Sequence, residues 1–166
     1  MVLLAPRSKI PAATSGESWP ITTEPERVAQ HLDDGGNVGL LGGEINDVVM
    51  VDVDDPDVFA EMQAALGPLG MPWVETGSGK PHYYMRWTPH LPAKLRWHDG
   101  EIQRGPGRPQ VVMPPSVHPA TGRRYRWLVD PVTTMLPRLP ERWRRHLIEP
   151  APRSSTTSSI PFHEPS

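Results

Sequence analysis

The stretch VVMVDVDDPD, residues 48–57, decides how this chain is read. Its first half is apolar and β-branched, the composition of a strand inside a protein. Val48 to Asp54 is the strongest strand in the sequence, and Asp55-Pro56 opens a helix after it. Side chains alternate along a strand, so Asp52 and Asp54 share a face, about 7 Å apart along the chain. Two carboxylates held this way repel each other unless a cation lies between them. Hard oxygen ligands of this kind suit Mg²⁺ or Mn²⁺. The plainer alternative is an acidic strand end that leads into a capped helix. Asp55 is enough for the cap, which leaves Asp52 and Asp54 without a structural task. On this reading, removing either carboxylate relieves repulsion and leaves stability unchanged or higher.

A third carboxylate is available further on, in WHDGEIQRG at residues 97–105. Glu101 leads a short alternating strand, whereas Asp99 sits among turn residues and reads as a turn former. Two carboxylates on one strand and a third on a neighbour form a pocket for two divalent ions. The anionic side comes from TGSGKPHYY at residues 76–84, a hairpin by its turn content. Gly77, Ser78 and Gly79 let backbone N–H groups converge on a phosphate. Lys80 adds a cation, and His82 starts the following strand, where a lone histidine can equally be structural. The spacing of a Walker loop is absent. Arg104 is a third cation, with a guanidinium well suited to phosphate.

Composition bounds the rest. The 166 residues are 37% hydrophobic and 22% charged, as in one soluble domain with a core. With 22 prolines, loops should be numerous and helices few. No cysteine is present, which excludes disulfides, cysteine-type zinc sites and a thiol nucleophile. No apolar run has the length of a membrane span, and Met1 to Leu4 is too short for a signal peptide, so a cytoplasmic protein with no membrane partner is expected. The net charge of −2 hides an asymmetry: residues 1–75 carry −10 and residues 76–166 carry +8. Such a split fits a cation site beside an anion site, although two solvated faces of opposite sign would give it too.

The remaining elements follow from pattern. Thr23 and Glu26 have capping-box spacing around Pro25, and Gly35-Gly36 ends that first helix. NVGLLGG reads as a short strand and turn. PDVFAEMQAALG reads as a second helix, PWVET and HYYMRW as the two strands of the hairpin, and RRYRWLV as another strand. KLRWHDGEIQRG and QVVMP read as strands around the turn at residues 105–109. PERWRRHLIE reads as a last helix, and residues 150–166 as a disordered Ser/Thr/Pro-rich tail behind a domain at 1–149. Strands and helices mixed in this way predict an α+β protein.

Three motifs together resemble a known family: Asp-Val-Asp at 52–54, TGSGKPH at 76–82, and GEIQRGPGRPQVVMPPSVHPATGRRYRW at 100–127. They resemble, in the same order, those of the primase–polymerase (prim-pol) domain of the archaeo-eukaryotic primase superfamily. The resemblance runs from residue 1 to about 148 and includes SKIP and NVGL near the start. It implies a primase-type catalytic core, with an RRM-like sheet joined to a smaller α/β unit. It also implies a DNA primase/polymerase of plasmid or phage replication. Carried over position by position, it makes Asp52, Asp54 and Glu101 the ligands of two Mg²⁺ or Mn²⁺ ions. Ser78, Gly79, Lys80 and His82 would hold the triphosphate of a nucleoside triphosphate, with Arg104 close by. Ser116 and His118 would shape the nucleotide pocket. The implied partners are a single-stranded DNA template and a separate replicative helicase.

For the template, alternation along RRYRWLV puts Arg124 and Arg126 on one face, as candidate contacts to a nucleic-acid backbone. Trp97, Tyr125 and Trp127 are candidates to stack on bases, or else core residues. Two rival functions carry weight. One is a non-catalytic nucleic-acid-binding replication module, and the other is a metal-dependent nuclease built on Asp54 and Glu101.

Overall fold

The computed structural model describes residues 1–13, 18–52, 72–89 and 110–138. It also describes Asp57, Ala60, Glu61, Ala64 and Glu141, and the backbone of 94–97 and 100–103. Two antiparallel sheets and one helix make up the described part, which is an α+β arrangement. The first sheet has the order β1 (Val2–Leu4), β2 (Asn37–Leu41), β8 (Gln110–Val112). The second has the order β6 (Lys94–Trp97), β7 (Gly100–Gln103), β3 (Val48–Asp52), β5 (Pro81–Arg86), β4 (Trp73–Glu75), β9 (Arg126–Val129).

The core lies between the sheets. Val48, Met50, Val74, Tyr84 and Tyr125 from the second sheet and the segment before β9 pack with Val2, Leu4, Leu41, Val111 and Val112 from the first. Alternation places Val49, Val51, Tyr83 and Met85 on the other face of the second sheet, where they are buried as well. β3 is therefore apolar on both faces and paired on both edges, with β5 and β7.

Helix α1 (Pro25–Asp33) keeps its predicted proline at the first turn and ends at Gly35, which has φ 84°. Its start differs from the expected capping box. Glu24 is the N-cap and makes no side-chain cap, while the hydroxyl of Thr22 accepts from the Glu24 N–H at 3.1 Å. Thr22 is buried and tied to Met1 through the backbone, and the helix begins one residue later than the spacing implied. His31 then holds the helix to the first sheet: its Nε2 lies 2.8 Å from Leu4 O and 3.0 Å from Asn37 O. A side chain at Gly36 would collide with that ring.

Two strand expectations change. KLRWHDGEIQRG is a hairpin of two strands, β6 and β7, and QVVMP pairs with β2 in the other sheet. The chain thus leaves one sheet for the other between β7 and β8, where pattern alone implied a single hairpin. β3 ends at Asp52, and Asp54 lies outside the described residues. So do Asp99, Arg104, the last helix apart from Glu141, and the tail. Asp57, Ala60, Glu61 and Ala64 have helical backbone, as expected for the second helix.

Asn37 joins the sheets' loops. It is buried, and its amide donates to Ser8 O at 2.9 Å and Val117 O at 2.8 Å while accepting from Val117 N–H at 2.8 Å. Replacing it with alanine strands three backbone groups. Asn37→Ala should cost about 2–3 kcal/mol in urea unfolding, the scale of buried polar groups left unpaired. A loss below about 0.5 kcal/mol, the scale of a neutral surface change, would show that these bonds do not hold the loops.

Candidate active site

β3 delivers Asp52 at its last position, where the buried strand reaches solvent. Cross-strand register then sets its neighbours: His82 of β5 on one side and the backbone of Glu101 of β7 on the other. Val74 and Trp127 continue the same row across β4 and β9. His82 Nε2 lies 3.3 Å from Asp52 Oδ1. The Asp52 side chain is 28% exposed and that of His82 only 8%. His82 Nδ1 is buried with no hydrogen-bond partner among the described residues.

Burial works to raise the pKa of Asp52. The hydrogen bond and charge of His82, with the charges of Lys9 and Lys80, outweigh it and hold the carboxyl below its usual range. Asp52 is therefore ionised at neutral pH. The described groups around Asp52 are cationic and attract it, while Asp54, the carboxylate expected to repel it, lies outside the described residues.

The expected phosphate loop is a tight turn between β4 and β5. Thr76 closes it, accepting the Gly79 N–H on its carbonyl at 2.9 Å and the Lys80 N–H on its hydroxyl at 3.0 Å. The Thr76 and Ser78 hydroxyls lie 2.9 Å apart. Gly79 has φ 88°, the region that favours glycine. Ser78, Gly79 and Lys80 are exposed at the tip. Gly77 is needed for a different reason: a Cβ there would collide with His118 Cβ and come 2.7 Å from Arg123 O. The Thr121 hydroxyl donates to Gly77 O at 2.9 Å.

Those contacts bring in the segment after β8. Val117 and Arg124 form a bridge, so residues 116–125 make a small hairpin laid against the turn. Tyr125 sits between two histidines, its ring centroid 6.1 Å from that of His82 and 5.9 Å from that of His118. Burial, then Asp52, pushes the Tyr125 phenol up to about 12. The same causes, with Tyr125 added, raise Tyr84, whose hydroxyl donates to Met113 Sδ at 3.1 Å. Burial and then Lys9 lower the pKa of His118.

Asp52, His82, Lys80 and His118 thus lie around one end of β3. Ser116 stands behind them: it is buried, and its hydroxyl accepts from Val38 N–H at 2.8 Å and reaches Val38 O at 3.2 Å. Its part is to fix the hairpin to β2. Glu101 occupies the register position next to Asp52, and Asp54 and Arg104 fall outside the described residues. No group of three His, Asp or Glu side chains converges among the described residues. One ionised carboxylate at the end of β3 suits a hard divalent ion; the other ligands expected from sequence, Asp54 and the Glu101 side chain, lie outside what is described.

Arg124 and Arg126 are both exposed, while Tyr125 between them is buried and Trp127 after them is half-buried, as alternation predicts. Their guanidiniums nevertheless part. Arg126 Nε meets Glu75 Oε2 at 2.8 Å, across the strand pair, and Arg123 approaches the same carboxylate at 3.8 Å. Arg124 donates to Pro115 O at 3.0 Å. Arg86 lies 3.6 Å from Asp47, so the basic and acidic halves of the sequence partly neutralise each other. Tyr125 is a core residue, which removes it as a base-stacking platform, and half-buried Trp127 packs on Tyr84 with ring centroids 5.0 Å apart. Lys9 lies in SKIP, part of the resemblance near the start, which gives the lysine no role.

Residues 1–143 match the family model for the N-terminal domain of bifunctional DNA primase/polymerases. The chain belongs to the Prim-Pol family. Membership supports a primase/polymerase role in replication, with the nucleotidyltransferase-type activity, divalent metals, nucleotides and DNA template that such a role involves. No curated protein and no solved structure matches the chain. No helix among the described residues of this Prim-Pol chain is long and apolar enough to cross a membrane.

The depressed pKa of Asp52 has a pH consequence. Its native pKa lies below the unfolded value of about 3.9, so its stabilisation is fully present above that value. It is lost as pH falls through the native pKa. The stability gap between the natural chain and Asp52→Asn, from urea melts at pH 7 and downward, should narrow below about pH 4. A gap that widens on acidification would contradict the assignment.

Proposed function

We propose that this chain is a template-directed nucleotidyltransferase. A primer 3′-hydroxyl, or that of an initiating nucleotide, attacks the α-phosphate of a nucleoside triphosphate; the new P–O bond forms as pyrophosphate leaves. The catalytic unit spans residues 1–149, with 150–166 outside it. It copies single-stranded DNA in the cytoplasm, in plasmid or phage replication, and a separate replicative helicase opens the template.

The observation that supports this reading is the row Glu101, Asp52, His82 across three adjacent strands, with the turn at 76–80 beside it. Asp52, Asp54 and Glu101 would hold the metal. Two Mg²⁺ or Mn²⁺ ions bound there would supply activation of the hydroxyl and neutralisation of the leaving oxygens. The chain's own residues position the reactants. The exposed turn Ser78-Gly79-Lys80 offers N–H groups and a cation to the triphosphate, and Arg104 adds a second. His82, buried and fixed by Asp52, presents a ring to the same phosphates. His118 lines the pocket from the hairpin that Ser116 anchors. Arg124, whose only described partner is a carbonyl, has charge to spare for the template; Arg126 would have to leave Glu75 to join it.

Primer extension with Mn²⁺ on single-stranded DNA tests the proposal. Asp52→Asn should reduce incorporation by about a hundredfold or more, on the order of 3 kcal/mol of transition-state stabilisation. His82→Ala should raise KM for the nucleotide and leave template affinity unchanged. Normal incorporation by Asp52→Asn, in protein that melts cooperatively, would sink the proposal.

A further inference from the structure

The N-terminal loop stands against the site and has no assigned part in it. Between β1 and Pro11 the chain folds back on itself: Ala5 N–H bonds to Ile10 O at 2.9 Å, Ser8 N–H to Ala5 O at 3.1 Å, and Ile10 N–H to the Ser8 hydroxyl at 3.0 Å. Side-chain amides from two strands then hold it. Asn37 of β2 donates to Ser8 O, and Gln110 of β8 donates to Lys9 O at 2.8 Å. Gln110 can lie across β2 because Gly39 has no side chain; a Cβ there would collide with Gln110 Oε1. The backbone of Lys9 is thereby fixed from both sides, while the residue itself is exposed.

The other end of Lys9 is free for a ligand. The Asn37 amide bonds both Ser8 O and Val117 O, the residues just before Lys9 and His118, so the loop runs beside the hairpin, and the charge of Lys9 bears on both Asp52 and His118. Yet it makes no ion pair within 4 Å of a carboxylate among the described residues. A cation held near a carboxylate and a histidine without touching either leaves room for a third group. The charge of Lys80, from the turn at 76–80, also bears on Asp52. Two lysines and a metal-binding carboxylate around one space suit a ligand with several negative oxygens.

We propose that Lys9 contacts the triphosphate of the bound nucleotide, as a cation supplied by the N-terminal loop and aimed by the Gly39–Gln110 and Asn37–Ser8 contacts. This rests on the nucleotide reading of the site above. It gives a part to the lysine of SKIP, far in sequence from the aspartate strand, the turn and the hairpin, and it explains why a β2 glycine lies under Gln110. Because the contact is to the outer phosphates, its contribution scales with their number and is small for a nucleoside monophosphate.

Titration of labelled nucleoside triphosphate and monophosphate in Mn²⁺, with labelled single-stranded DNA as a third ligand, tests it. Lys9→Gln should weaken triphosphate binding about tenfold, as expected for one lost charged contact, and monophosphate and DNA binding less than about twofold. Lys9→Arg should restore most of the triphosphate affinity, and the urea midpoint of Lys9→Gln should match that of the natural chain. An undiminished triphosphate affinity in Lys9→Gln would overturn the role of Lys9 alone. A loss mainly for DNA would reassign it to the template and overturn the proposal. If the natural chain binds no triphosphate, the nucleotide reading itself fails, and Lys9 with it.

Discussion

β3 is paired on both edges, and Val48, Val49, Met50 and Val51 are buried on its two faces. A charged side chain inside such a strand would be desolvated on every side at a cost of several kcal/mol. Asp52, at the strand's end, is the first position where a carboxylate can be held by the sheet and still meet water. The same register that buries Met50 against Tyr84 sets Asp52 beside His82 and level with Glu101. The rigidity of the core is therefore handed directly to the site, and no loop has to place the central carboxylate.

The second wall comes from a different sheet. β2 and β8 have no site residue on them, but their ends carry the N-terminal loop and the hairpin at 116–125. Asn37 bonds to both, and Ser116 and Gln110 each add a further tie. Gly77 permits the closest approach, where the turn and the hairpin touch at His118. The candidate site lies where the loops of one sheet meet the strand ends of the other. A loss of packing between the sheets would open it without altering any residue at its centre.

Much of this was legible in sequence where a local pattern carries it. β3 announced itself by a continuous apolar run, the β4–β5 hairpin by its glycine turn, and α1 by Pro25 and Gly35. The three motifs led to the family. What the sequence could not show was long-range pairing: that QVV joins β2 rather than its neighbour, or that Glu75 of one hairpin captures Arg126 of another strand. The described neighbours of Asp52 were hidden for the same reason. The local pattern held only Asp54, close in sequence; His82, Lys9 and Lys80, which attract Asp52, are distant in sequence. Tyr125, read as a possible stacking platform, is consumed by packing that no local pattern encodes.

The central claim is that the end of β3 holds a divalent ion beside the nucleotide's phosphates. Crystals of the chain grown with Mn²⁺ and a non-hydrolysable nucleoside triphosphate, measured at the manganese absorption edge, address it directly. The account predicts an anomalous peak within about 2.5 Å of an Asp52 carboxylate oxygen, with the triphosphate bridging from it towards the turn at 76–80. A nucleotide bound elsewhere, or manganese that leaves Asp52 untouched, would contradict it.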